Sequence, residues 1–134
     1  LKFAKKVIDL AKKEKKSKKP ICFLFGGEST VNVKGSGIGG RNMELALSFA
    51  IGVSGNKKIS ALFAGTDGID GNTNSAGAFC DSKTALKASK IGISPRSYLI
   101  NNDSYSFFKK LKDLKITGNT GCNVNDIGII LIDF

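Results

Sequence analysis

The chain has 134 residues, of which 41% are hydrophobic and 24% charged, enough for one domain with a packed core. It contains no histidine, so histidine acid–base chemistry, the Ser-His-Asp triad and ordinary zinc catalysis are excluded. No apolar run approaches the roughly 20 residues that cross a bilayer, and the start lacks the features of a secretory signal. We therefore expect a cytoplasmic protein with no membrane partner. The first residue is not methionine, so we expect a piece of a longer protein.

The formal net charge of +10 is concentrated at one end of the sequence. Residues 1–20 hold nine lysines against Asp9 and Glu14, whereas the other 114 residues carry a net charge of only +3. This segment lacks the arginines and interleaved aromatic residues of a base-reading surface. The pattern predicts a solvated helix face and no nucleic-acid partner.

The three cysteines are Cys22, Cys80 and Cys122, and their wide spacing fits neither a disulfide framework nor a zinc site. Each lies among apolar or small residues. We expect buried free thiols in a reducing compartment.

The first third of the chain predicts one helix followed by two strands. Residues 1–16 carry apolar residues at helical spacing with lysines on the opposite side, so residues 1–20 are interpreted as a lysine-rich amphipathic helix and linker. The α/β domain is assigned to residues 20–134. The continuous apolar run 21–25 predicts an interior strand, and the alternation in 29–34 predicts a strand with one buried face.

Residues 35–42 form a glycine-rich loop that opens a helix extending to Val53. Gly35, Gly37 and Gly40 satisfy the spacing of a dinucleotide-binding loop, but no acidic residue follows where the ribose would need one. We therefore reject a nicotinamide site here. A glycine loop at a helix N-terminus still offers amide hydrogens to an anion, and Arg41 adds a fork suited to a carboxylate or phosphate. A surface arginine at a helix start is the equally weighted alternative.

The apolar run 59–64 predicts a buried strand that leads into the polar loop 64–77. This loop contains Asp67 and Asp70, each followed by glycine. Such residues also fill ordinary turns. Two aspartates in a long loop after a buried strand favour a site, because open α/β sheets bind ligands at the carboxyl ends of their strands.

The remaining elements follow the same alternation of apolar segments and polar connections. We predict a helix capped by Asp81 or Ser82 and ending near Gly92, a turn or short helix from Pro95, a helix capped by Asp103 or Ser104, and strands at 114–117 and 127–132. The resulting fold class is a three-layer α/β domain with a mixed sheet of about five or six strands flanked by helices.

Three polar loops, 35–42, 65–77 and 118–126, are expected to converge at one edge of the sheet. Asp67, Asp70 and Asp126 could then hold Mg²⁺ or accept a proton, while Arg41 could hold phosphate oxygens together with Asn123 and Asn125. Phosphoryl transfer requires this combination of positioning, charge neutralisation and a carboxylate.

Five stretches carry a resemblance to a known family: residues 26–31 (GGESTV), 39–46 (GGRNMELA), 64–71 (AGTDGIDG), 101–105 (NNDSY) and 117–126 (TGNTGCNVND). Together they resemble MOFRL, the C-terminal domain of class II glycerate kinases, which older names call hydroxypyruvate reductases. The resemblance covers about residues 20–134. It implies a cytoplasmic kinase that uses ATP and Mg²⁺ to phosphorylate D-glycerate, usually on the 2-hydroxyl group, in a cleft between this domain and a larger N-terminal Rossmann-like domain.

The resemblance also assigns roles to residues. Arg41 and Asp67 match the family's cleft arginine and aspartate, so they are the candidate catalytic residues, with Asp67 as general base, metal ligand or partner of Arg41. Asp67 and Asp70 are the candidate metal ligands. The remaining candidates for substrate or nucleotide binding are Gly39, Gly40, Asn42, Glu44, Thr66, Asp70, Thr120, Asn123, Asn125 and Asp126. Met43, Asn119 and Cys122 depart from the family's usual Gln, Pro and Thr.

Because the N-terminal domain holds the family's essential lysine and most of the nucleotide site, the isolated chain is expected to fold but to be inactive. Two alternatives stay open: an NAD(P)-dependent hydroxypyruvate reductase, and a non-catalytic anion-binding module. The oligomeric state is also open, with a homodimer among the alternatives.

Overall fold

The computed structural model of the chain describes residues 2–14, 19–56 and 58–133. Residues 1 and 15–18, which the sequence assigned to the first helix and its linker, lie outside the described residues. The elements in chain order are α1 (Lys2–Glu14), β1 (Ile21–Gly27), α2 (Arg41–Val53), β2 (Ile59–Gly65), β3 (Gly77–Asp81), α3 (Thr84–Lys90), α4 (Pro95–Ile100), α5 (Ser104–Leu111), β4 (Leu114–Lys115) and β5 (Asp126–Ile132).

The five strands form one sheet in the order β1-β5-β2-β3-β4. The α/β class and the number of strands are confirmed, but the mixed sheet was wrong, because each pairing in the described residues is antiparallel. The interior position predicted for β1 was also wrong. β5 returns from the end of the chain and lies between β1 and β2, which leaves β1 at an edge.

The strand predicted at 29–34 is absent, and residues 28–34 have no regular secondary structure. Val33 is 66% exposed, so the alternation there does not mark a buried face. Side chains hold this segment instead: the Ser29 amide donates to Asp126 and the Lys34 amide to Asn102. The sequence also missed β3, whose small residues resemble a loop.

The core lies between the sheet and α2. Met43, Leu47 and Ala50 recur at helical spacing along α2 and are completely buried. They pack with sheet residues such as Phe63 and Ala78, which lie on the face that points toward α2. This packing fixes the position of the N-terminus of α2 relative to the ends of the central strands.

Helix α1 adds aromatic contacts to the same core. The Phe3 ring lies 5.2 Å from the ring of Phe25, as expected for a helix beside β1, and 6.1 Å from that of Phe63. The other helices α3, α4 and α5 also pack against α2. The described helices therefore form a single layer, so the chain shows two of the three predicted layers.

The cysteines correct one prediction. Cys80 is buried, and burial raises the pKa of its thiol strongly, but Cys22 and Cys122 are both exposed. None of the helices in the described ranges is long and apolar enough to cross a membrane.

Candidate active site

The predicted site residues gather where three strands and one helix end side by side. Gly27 at the end of β1, Asp126 at the start of β5 and Gly65 at the end of β2 are neighbours across the sheet. The N-terminus of α2, at Arg41, lies over the same end. We call this end of the sheet the loop edge.

Arg41 forms a two-point ion pair with Asp126. Its Nε and Nη2 atoms lie 2.8 Å from Oδ2 and Oδ1 of Asp126, respectively. Asn42 Nδ2 and the Ser29 amide donate to the same carboxylate at 3.0 and 3.3 Å. Burial opposes the charge on Asp126, but these hydrogen bonds outweigh it and lower the pKa of its carboxyl group. Asp126 therefore stays ionised and holds the Arg41 guanidinium in a fixed plane.

Asp70 is completely buried and caps α2 from a loop 28 residues away. Its Oδ1 accepts from the Asn42 amide at 3.1 Å, and its Oδ2 accepts from the Met43 amide at 2.8 Å. Burial raises the pKa of Asp70, and these amide bonds oppose the rise. The anion expected at this helix N-terminus is thus a side chain of the protein itself, which corrects the prediction that these amides would be offered to a phosphate.

Gly40 allows this close approach. A Cβ atom at Gly40 would lie 2.3 Å from Cγ of Asp70, a distance that no side-chain movement within a packed cap relieves cheaply. We expect Gly40→Ala to displace Asp70 and to lower the free energy of unfolding by about 2 kcal/mol or more. Thermal melting of the full-length protein checks this, with Ser36→Ala, an exposed position in the same loop, as the control. Equal melting temperatures for the two variants would contradict the cap.

Asp67 lies at the loop edge, close to Gly65. A Cβ atom added to Gly65 would lie 2.9 Å from Asp67 Oδ1 and 3.7 Å from Asn42 Nδ2. Asp67 is partly exposed, and its Oδ1 accepts from the Ile69 amide at 3.1 Å. The carboxylate that pairs with Arg41 in this structure is that of Asp126, 85 residues away, an arrangement that linear spacing does not reveal.

The loop 118–126 is fastened to the end of β2 through Thr66. Thr66 Oγ1 donates to the Asn125 carbonyl at 2.7 Å and accepts from the Val124 amide at 2.9 Å. Thr120 Oγ1 donates to the Thr66 carbonyl, and Asn123 accepts from the Asn125 amide. Asn125 has a φ of 68°, a left-handed conformation that asparagine tolerates better than most residues. These predicted binding residues therefore also shape the loop, and the three polar loops do converge.

The glycine loop 35–42 is fastened to the corner between α4 and α5. The amides of Gly35, Gly37 and Ile38 donate to Asn102 Oδ1, the Asn101 carbonyl and Asp103 Oδ1. A dinucleotide loop needs a preceding strand and amides that point at a pyrophosphate. With no strand at 29–34 and these amides bonded within the protein, the geometry disfavours that alternative.

Glu44 lies beneath this loop and is almost completely buried. Burial raises the pKa of Glu44, while the Ser104 hydroxyl and the Asn102 side chain oppose the rise. A Cβ atom on Gly39 would lie 2.3 Å from Ser104 Oγ, so Gly39 is part of the same packed cluster. We assign Gly39 and Glu44 to the support of the loop, behind the residues that line its open side.

Comparison with known proteins agrees with this geometry. Residues 21–126 match the MOFRL family. The chain belongs to that family. It is 52% identical over 120 residues to a D-glycerate 2-kinase of Thermotoga maritima, and this match covers 90% of the chain. It is also 48% identical over 115 residues, 84% of the chain, to an Agrobacterium vitis protein that carries the provisional name hydroxypyruvate reductase.

The fold is also that of a solved relative. The crystal structure of a glycerate kinase from Thermotoga maritima superposes with a TM-score of 0.83 and 54% identity over 85% of the chain. The MOFRL chain spans 28% of that solved chain, and 29% and 30% of the two curated relatives. The α/β fold is therefore the family's fold.

The donor set of the MOFRL chain fits a divalent cation only in part. No group of three or more acidic, cysteine or histidine side chains in residues 2–14, 19–56 and 58–133 could hold a metal ion alone. Both Asp70 oxygens accept amide bonds in a fully buried position, so Asp70 does not fit as a ligand. Asp67 is partly exposed, so its carboxylate fits better as one of the one or two protein ligands that Mg²⁺ commonly takes.

Two cavities differ in their relation to the site. A cavity of about 330 Å³ borders the loop edge, with phenylalanine walls from α1, β1 and β2 and with Glu28, Asn42 and Asp126 among its lining residues. A larger one, of about 860 Å³, lies at the opposite end of the sheet and contains none of the predicted site residues. Chemistry, and not cavity size, therefore identifies the candidate site.

Proposed function

We propose that this MOFRL domain forms one side of the active site of an ATP-dependent D-glycerate kinase that phosphorylates the 2-hydroxyl group. The observation that carries the proposal is the Arg41 guanidinium, fixed in plane by Asp126 at the edge where the three polar loops meet. The 52% identity to a D-glycerate 2-kinase supports the substrate and the reaction.

Arg41 binds an anionic group in this proposal. Asp126 engages two of its three guanidinium nitrogens, and Nη1 donates to the substrate carboxylate or to the transferring phosphoryl group. An arginine whose orientation is already fixed loses little side-chain entropy when the charge of the transition state develops. Asn42 supports this orientation through its own bond to Asp126.

Asp67 acts as general base toward the substrate hydroxyl group. As the hydroxyl oxygen bonds to phosphorus and the bond to the leaving ADP breaks, its proton passes to the Asp67 carboxylate. ATP supplies the phosphoryl group, and Mg²⁺, to which Asp67 is the candidate ligand in the alternative role, neutralises phosphate charge. Thr66, Thr120, Asn123 and Asn125 hold the loop that closes this side of the site.

The larger part of the protein supplies the other side of the cleft. The chain covers about 30% of its curated relatives, so the proposal assigns the nucleotide site to an N-terminal Rossmann-like domain. A kinase that draws on ATP is expected in the cytoplasm.

The test is a product assay with the full-length protein, ATP, Mg²⁺ and D-glycerate. We expect 2-phosphoglycerate, identified by ³¹P NMR, no product from L-glycerate, and loss of turnover on chelation of Mg²⁺ with EDTA. A parallel assay offers hydroxypyruvate with NADH or NADPH. Reduction of hydroxypyruvate without phosphoryl transfer would replace the kinase with the reductase.

A further inference from the structure

One face of the sheet is largely apolar and lies opposite the face that packs against α2. The register places three rows of side chains on this face, each running across neighbouring strands. The middle row consists of Leu24, Ile129, Leu62 and Phe79, one residue from each of four strands. The adjoining rows add Cys22, Ile127 and Leu131, and the row of Leu131 ends in the polar residues Ser60 and Asp81. We call this surface the open sheet face.

The open sheet face is substantially exposed in this chain. Leu24 is 69% exposed, Leu131 52% and Phe79 45%. The side chains that alternate with them, such as Phe63 and Ile130, are buried against α2 on the other face. Within the described ranges, each of α1, α3, α4 and α5 packs against α2, on that buried side.

This pattern differs from that of an ordinary two-layer domain. A sheet with one solvated face alternates apolar and polar residues, whereas strands buried on both faces are nearly continuous apolar runs. β1, β2 and β5 are of the second kind, as in Ile127–Ile132 with five apolar residues and one glycine. Single exposed leucines are normal, but an apolar band across four strands marks a surface that another element covers.

We propose that a layer of helices from the rest of the same polypeptide covers the open sheet face. This inference rests on the proposed function, under which the chain is one domain of a longer protein. The solved relative has 72% of its chain outside the matched part, ample for a second helical layer. This contact is separate from the loop edge.

The cysteines provide a direct test. Cys22 lies on the open sheet face and Cys122 in a loop at the loop edge; both are exposed in this chain, while Cys80 is buried. We propose to label the native full-length protein with N-ethylmaleimide and to measure each cysteine by peptide mass spectrometry, relative to its rate in denaturant. Cys22 should be slowed by more than tenfold, and Cys80 calibrates full protection. A slowing of Cys22 by tenfold or less would overturn the proposal.

A substitution identifies what covers the face. Leu131→Lys places a charge on the open sheet face, and Ile91→Lys, at a position 57% exposed after α3, is the matched control. We expect Leu131→Lys to lower the melting temperature of the full-length protein by about 5 °C or more, with unchanged mass by light scattering. A halved mass would identify a second copy of the protein as the occupant, and a shift no larger than that of the control would leave the face uncovered; either overturns the proposal. Neither measurement depends on kinase activity, so a failure of this proposal can be distinguished from a failure of the proposed function.

Discussion

Arg41→Ala in the full-length protein is expected to lower kcat for glycerate phosphorylation by about a hundredfold to a thousandfold. This is the range found when one preorganised donor to a developing negative charge is removed. Arg41→Lys should recover little of the loss, because an ammonium group keeps the charge but not the planar fork that Asp126 orients at two points. Steady-state kinetics of both variants, with kcat and KM reported separately, measure the effect.

Truncation of Arg41 also leaves the Asp126 carboxylate without its main partner, which can disturb the site indirectly. Asp126 is only 9% exposed, so an unpaired charge there is unfavourable. The double variant Arg41→Ala, Asp126→Asn removes that charge and separates the two causes. If Arg41 contacts the reacting groups, the double variant stays as inactive as the single one while its melting temperature recovers.

Arg96 provides the control, since it is the other arginine of the chain and is exposed on α4. Arg96→Ala should leave kcat and KM within about twofold of the original. Recovery of activity in the double variant, or an Arg41→Ala enzyme within tenfold of the original, would reduce Arg41 to a partner of Asp126.

The sequence predicted the elements that have a strong local signal. α2 follows from helical spacing after a glycine loop, and β2 and β5 follow from apolar runs bounded by polar loops. The prediction failed at 29–34, where Val31 and Val33 alternate with polar residues as a strand would. The backbone there is held by Asp126 and Asn102, which are about 70 to 100 residues away and leave no local signal.

The architecture of the sheet was less predictable than its elements. β5 closes the chain, yet it lies between β1 and β2, so the pairing depends on contacts more than 60 residues apart. The third layer was predicted as part of the α/β fold class, and the apolar runs of the strands are of the kind that is covered on both faces. The pattern is present in the strands, and no helix within the described residues supplies that cover.

The candidate site was also predictable only in part. Spacing and composition indicated that Asp67, Asp70 and Arg41 belong to polar loops at one edge. The three loops do meet there: Asp70 bonds the amides of Asn42 and Met43, next to Arg41, whereas Asp67 lies near Gly65 at the end of β2. Spacing and composition could not separate the roles of two aspartates that are each followed by glycine. Burial does so, because Asp70 is fully buried against the N-terminus of α2 whereas Asp67 is partly exposed.

This difference predicts opposite phenotypes for two otherwise identical substitutions. Asp67→Asn should lower kcat by about a hundredfold or more, since a positioned base contributes on the order of 10²–10⁴. Its melting temperature should change little, because the amide oxygen can still accept the Ile69 bond. Asp70→Asn should lower the free energy of unfolding by about 2 kcal/mol, because an amide nitrogen then faces one of the two backbone donors of α2.

Both variants are measured in the full-length protein by thermal melting and, well below the transition, by initial rates. The decisive comparison is between the two variants, in both initial rate and melting temperature. If Asp67→Asn melts early and retains its rate, Asp67 is structural and the proton acceptor must be sought in the other part of the protein. If Asp70→Asn is as stable as the original, the two amide bonds to Asp70 do not stabilise the N-terminus of α2. Loss of rate without loss of stability at Asp67, with the reverse at Asp70, would locate proton transfer and helix capping on carboxylates only three residues apart.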